Sequence, residues 1–144
     1  MKSGDKILLN HSTTGRVLAA ATVSAFAIGS FAVGYFNPVT AGFFPQCPFH
    51  ALTGMNCPGC GLTRGFHALF QGDVLGALHY NLLLPIYAFI FGYLFVSLIL
   101  TAVRGCGLSW KIFHPWMAWG FFALLLSFAV LRNLPFYPFN LLAI

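Results

Sequence analysis

Charge-free apolar runs occupy residues 17–36, 82–103 and 115–131, and the last extends back to 112 if Ile112–His114 join it. Each approaches the roughly 20 residues that an α-helix needs to cross a bilayer core. The pattern therefore predicts transmembrane helices at 17–36, 82–103 and 112–131. Residues 37–81 read differently. Asn37-Pro38 and Gly42-Phe-Phe-Pro45 break the first helix, and polar and oily side chains then mix too closely for a span or an ordinary exposed loop. Cys57-Pro58 reads as a helix start, with the cysteine at the cap and the proline in the first turn. Gly72 ends that short helix, and Asp73 caps a further turn, Val74–Tyr80, that leads into the second span. Pro85, in the first turn of that span, bends it at most mildly. The expected fold is an all-α integral membrane protein: three transmembrane helices plus a short interfacial or re-entrant helix at 58–71 beneath a cysteine-rich cap.

Composition agrees. The chain is 59% hydrophobic and 6% charged, against about 25% charged residues in soluble domains, so its solvent is lipid. The net charge of +5 comes from cations scattered singly along the chain, which excludes a nucleic-acid surface and fits membrane-flanking anchors. Asp5 and Asp73 are the only acids, which rules out a carboxylate pair for glycoside hydrolysis or an acidic cluster for Mg²⁺-phosphate chemistry. The loop cations also orient the chain. Lys2, Lys6 and Arg16 precede the first span, and Arg104 and Lys111 separate the second from the third. Residues 1–16 and the 104–111 loop are therefore expected in the cytoplasm, with the 37–81 cap and the 132–144 tail, carrying Arg64 and Arg132, outside. Trp110, Trp116 and Trp119 suit an aromatic belt at the cytoplasmic end of the third span, and Tyr35 and Tyr137 suit the opposite interface. The first run is too long, and Gly34-Tyr-Phe-Asn-Pro38 too poor a cleavage site, for a removed signal peptide, so it is read as a retained span.

The chemistry is concentrated between residues 47 and 67. Cys47-Pro-Phe-His50 and Cys57-Pro-Gly-Cys60 are two ligand pairs whose side chains suit tetrahedral Zn²⁺. The Cys-Pro-x-Cys-Gly run looks like the knuckle turn of zinc ribbons and rubredoxins, which makes Cys47, His50, Cys57 and Cys60 the candidate metal ligands. His67 lies seven residues beyond Cys60, roughly 10 Å along a helix axis, too far to share that ion. On a helix starting at Pro58, Cys60, Arg64, His67 and Gln71 would form one polar stripe. That supports a second reading, thiol redox chemistry. Cys57 would be the nucleophile and Cys60 its partner, with Arg64 and the helix dipole favouring the thiolate and His67 moving protons. The spacing resembles that of quinone-linked thiol oxidases such as vitamin K epoxide reductase, whose four-helix core and second cysteine pair are missing here. A third reading gives His79 and His114 to a tetrapyrrole or lipid cofactor, with covalent haem excluded because Gly61 follows Cys60. Cys106 is alone on the other side. Arg64 has no acid within a helical turn, so at least two hydrogen-bond acceptors are expected around it.

The run from Cys47 to Arg64, followed by His67-Ala-Leu-Phe-Gln-Gly72 and His79-Tyr-Asn81, resembles a family of small bacterial membrane proteins filed as domain of unknown function 2752. Gly42-Phe-Phe-Pro45 and Arg132-Asn133-x-Pro135 match its flanks. The resemblance implies this fold and a bacterial cytoplasmic membrane, and is silent on chemistry. The functional expectation is a small non-enzymatic scaffold or accessory subunit with a zinc-held exterior cap. Its partners would be the bilayer and other membrane subunits, whose helices the Phe- and Gly-rich spans would pack against. A thiol-disulfide oxidoreductase is the alternative.

Overall fold

In chain order the elements are β1 (Leu8–Asn10), α1 (Thr13–Tyr35), α2 (Pro48–Thr53), α3 (Leu62–Phe70), α4 (Val74–Tyr80), α5 (Leu84–Arg104), β2 (Cys106–Leu108) and α6 (Pro115–Arg132). They come from a computed structural model that describes residues 8–10, 12–109 and 114–136. Trp110, Lys111 and Tyr137, with Lys2, Asp5 and Lys6, lie outside the described residues. Helices α1, α5 and α6 are long and apolar enough to cross a membrane, and only 6, 6 and 11% of their apolar windows are buried inside the protein. Side chains this oily and this uncovered belong against lipid. The chain is a multi-pass membrane protein.

Two units emerge from the packing, residues 1–30 with 87–115, and residues 31–86 with 116–144. In the first, Ser12 begins α1, its Oγ accepting from the Gly15 amide at 3.4 Å. One turn on, Arg16 donates to the Ala102 and Val103 carbonyls, at 3.4 and 3.1 Å, near the end of α5. Those carbonyls are among the last of the helix and lack intrahelical donors, so a cation there both satisfies and neutralises them. Phe26 of α1 lies 5.1 Å from Phe95 of α5, ring centre to ring centre. A short antiparallel ribbon pairs Leu8 with Leu108 and Asn10 with Cys106. The all-helical expectation contained no strand. Three-residue strands flanked by Gly105 carry too little alternation to be read from sequence.

The second unit holds the cap. Helices α3 and α4 pack together around Ala68, Ala77 and Leu84, with Leu69 and Tyr80 against them. Small residues allow this approach. A methyl group at Gly65 would meet Leu84 Cδ1 at 2.5 Å and the Ala77 carbonyl at 3.2 Å. Asp73 caps α4 as expected, its Oδ1 accepting from the Gly76 amide at 2.8 Å. Helix α3, by contrast, begins at Leu62 rather than Pro58. Gly61, at φ +81°, turns the chain through the left-handed region at its start. Residues 57–61 instead form a turn in which the Cys60 amide donates to the Cys57 carbonyl at 3.0 Å.

Candidate metal centre

The late start of α3 decides where the sulfurs go. Off the helix, Cys60 folds back beside Cys57, and Cys47, immediately before α2, reaches the same point. The Sγ atoms of Cys47 and Cys57 are 3.2 Å apart and those of Cys57 and Cys60 3.3 Å, with all three within 4.8 Å of one another. All are free thiols. These separations are well beyond a disulfide bond of about 2.05 Å. The two shorter ones fall about half an ångström below the ~3.8 Å edge of a tetrahedron with Zn–S near 2.3 Å. Three thiols so placed are compatible with a metal ion. The fourth residue of the expected set, His50, is exposed, and its Nδ1 bonds the Met55 carbonyl at 3.2 Å.

The turn is held from behind. Arg132, the last residue of α6 and 1% exposed, donates to the Cys60 carbonyl at 2.7 Å and to those of Cys57 and Tyr80 at 3.3 Å. Asn81, equally buried between α4 and α5, donates to the carbonyls of Pro58 at 2.9 Å and Cys60 at 3.3 Å. Asn133 exchanges two 2.8 Å hydrogen bonds with the Asn56 backbone, as a neighbouring strand would. With its carbonyls drawn inward by Arg132 and Asn81, the turn presents amides to sulfur: the Cys57 N–H points at Cys60 Sγ, 3.3 Å away. Amides and a buried guanidinium both favour negative sulfur.

The thiols are not equivalent. Burial pushes the Cys57 thiol up to about 12, and its sulfur neighbours Cys47 and Cys60 add to the rise. Cys47 is held below its ordinary value, first by the His50 amide in the opening turn of α2 and then by the Cys57 thiol. The Cys47 side chain nonetheless makes no capping hydrogen bond to α2.

The expected polar stripe divides. His67 Nδ1 donates to the Val33 carbonyl at 2.7 Å and Gln71 Nε2 to that of Gly34 at 2.8 Å, satisfying carbonyls left open at the end of α1. Arg64 is exposed and makes no hydrogen bond to the described residues, so the two acceptors expected around it are absent. The cation behind the cysteines is Arg132, which from sequence alone is expected to be a charge of the exterior tail. A lone arginine ending an apolar run, followed by Asn133-x-Pro135, was the available signal. His79 and His114 are both exposed, and Cys106 lies in β2 of the other unit.

Fold and site together define a membrane protein of three candidate spans whose cap gathers three free thiols over a buried arginine. Residues 47–95 match the model of the family described as "Protein of unknown function (DUF2752)", and over this stretch the chain is similar to that family. The match includes the three cysteines and Asn81 and stops short of Arg132 and Asn133. No curated protein and no solved structure matches.

Proposed function

We propose that the cap is a structural zinc centre on a non-enzymatic membrane scaffold, an accessory subunit of a larger membrane assembly. The observation that carries this reading is the convergence of Cys47, Cys57 and Cys60 within 4.8 Å. Three thiolates on Zn²⁺ leave one net negative charge, and the buried Arg132 guanidinium behind the turn is its counterion. His50, whose Nδ1 bonds the Met55 carbonyl, would supply the fourth ligand. A cap this small has few apolar contacts, and a metal supplies the stabilisation that a larger core would otherwise give. The exposed aromatic surface of the spans offers packing area to partner helices. The resemblance suggests a bacterial cytoplasmic membrane, and the loop charges suggest that the N-terminus faces inside.

Elemental analysis of the chain, purified under reducing, chelator-free conditions, tests the site. About one zinc per chain is expected, falling at least severalfold in Cys57→Ser and less in His50→Ala. Metal-free protein with freely reacting thiols would remove the zinc. Thiol-disulfide exchange lost in Cys57→Ser would then favour the oxidoreductase reading. The raised pKa of Cys57 speaks against that reading, because little of this thiol is the reactive thiolate at neutral pH. Copurification from mild detergent tests for the partner subunit.

A further inference from the structure

Beside α3, away from the sulfurs, a cleft of about 240 Å³ opens just past the end of α1, lined by Asn37, Val39, Arg64, His67, Asp73 and Tyr80 among others. Three features set it apart. Its cation, Arg64, bonds to no described residue. Its acid, Asp73, uses Oδ1 to cap α4 through the Gly76 amide, and Oδ2 takes no hydrogen bond from the described residues. Arg64 and Asp73 form no ion pair with each other, although they line the same cleft. Two opposite charges kept apart in one recess are complementary to a ligand that carries both.

Position narrows the ligand. Residues 37–39 follow directly on α1, a candidate span ending at Tyr35, and chain just past the end of a span lies at the level of the lipid headgroups. Val39 in the lining is 63% exposed, and Tyr35 and Phe70, each within two residues in sequence of lining residues, are 71 and 52% exposed, apolar surface of the kind that acyl chains cover. The cleft volume of about 240 Å³ leaves room for a group as small as an aminoethyl phosphate. We infer that this cleft is a binding site for a zwitterionic phospholipid headgroup, with its phosphate on the Arg64 guanidinium and its primary ammonium on Asp73. His67 contributes orientation. Its Nδ1–H is committed to the Val33 carbonyl, which leaves Nε2 as the ring atom able to face a ligand. An ethanolamine headgroup fits best, since a primary ammonium donates hydrogen bonds to a carboxylate and a quaternary choline cannot.

Native mass spectrometry of the full chain, titrated with phosphatidylethanolamine, phosphatidylglycerol and phosphatidylcholine of matched chains, tests the site. Soluble phosphoethanolamine serves as competitor. Phosphatidylethanolamine is expected to bind about tenfold more tightly than the other two, the worth of one charge-assisted contact. Arg64→Gln should weaken it by about tenfold, and Arg64→Lys by less. Asp73→Asn keeps a capping side chain for α4 and should erase the preference over phosphatidylglycerol. Unchanged circular dichroism and zinc content in each variant separate this site from the cysteine cap. Equal binding of all three lipids by the unaltered chain, or unchanged binding in Arg64→Gln, would overturn the inference. Phosphoethanolamine binding as tightly as the lipid would overturn the lipid assignment.

Discussion

Arg132 and Arg64 are the same side chain in opposite situations. Arg132 spreads its donors over three backbone carbonyls from two segments, a task for a planar fork. A lysine ammonium at the end of a flexible stem cannot serve those acceptors in the same geometry, and any buried carbonyl left unpaired costs about 1–3 kcal/mol. Arg132→Lys should therefore destabilise the protein by about 2 kcal/mol, read as a fall in Tm in detergent on the order of 5 °C. Arg64→Lys, on an exposed side chain, should stay within about 0.5 kcal/mol of the parent. Equal losses in both variants would mean that Arg132 does not brace the turn. The thiols allow a second residue-scale prediction. In reduced, metal-free protein at pH 8, Cys47 should alkylate first, because its pKa is lowered and its thiolate fraction is larger. Cys57 should alkylate last, because its thiol stays protonated until about pH 12. Peptide mass mapping at timed quenches reads the order, and Cys57 reacting ahead of Cys47 would contradict it.

At the level of elements, the cap depends on how closely α3 approaches α4 and the start of α5. The methyl group of Gly65→Ala would press on the end of a Leu84 side chain and crowd the Ala77 carbonyl. A cost of about 1–3 kcal/mol is expected from overpacking, offset in part by the better helix propensity of alanine. Gly65→Val should be worse, and Leu84→Ala should partly rescue Gly65→Ala by opening the space it needs. A double-mutant cycle on thermal stability measures that coupling, which strict additivity would rule out. The same packing explains why α3 lies where it does. Its polar residues His67 and Gln71 close the open carbonyls of α1, while Ala68 faces Ala77 and Leu84.

On the scale of the whole molecule, the testable property is sidedness. The cap cysteines and Cys106 fall in separate units of the chain. They are joined through α5, which is long and apolar enough to cross the membrane. From the cation distribution we propose that Cys106 lies inside. An impermeant maleimide added to intact cells expressing single-cysteine variants should label Cys47 and spare Cys106 until the membrane is opened. The reverse pattern would invert the topology. In the first unit, Arg16 bonds to the end of α5 and β1 pairs with β2, so the segment before α1 and the segment after α5 meet. An odd number of crossings between those segments would forbid this.

What the sequence determined alone was whatever follows from local pattern. Long charge-free runs give spans whatever their surroundings, because a helix is the structure that satisfies its own backbone in lipid. Asp73 announces the start of α4 because a cap acts within one turn. The grouping of Cys47 with Cys57-x-x-Cys60 was legible from ligand type and spacing. The start of α3 was not: Cys57-Pro58 reads as the helix opening, yet the helix begins only after Gly61. Asn81 and Arg132, distant in sequence, hold the carbonyls of residues 57–60 in a turn. That late start moved Cys60 off the polar stripe and onto the other sulfurs, and it left Arg64 to the surface. Which of two arginines stands behind the thiols was decided by contacts more than seventy residues apart in sequence. No local pattern encodes such a contact, because its free energy exists only once α6 and the cap are packed together.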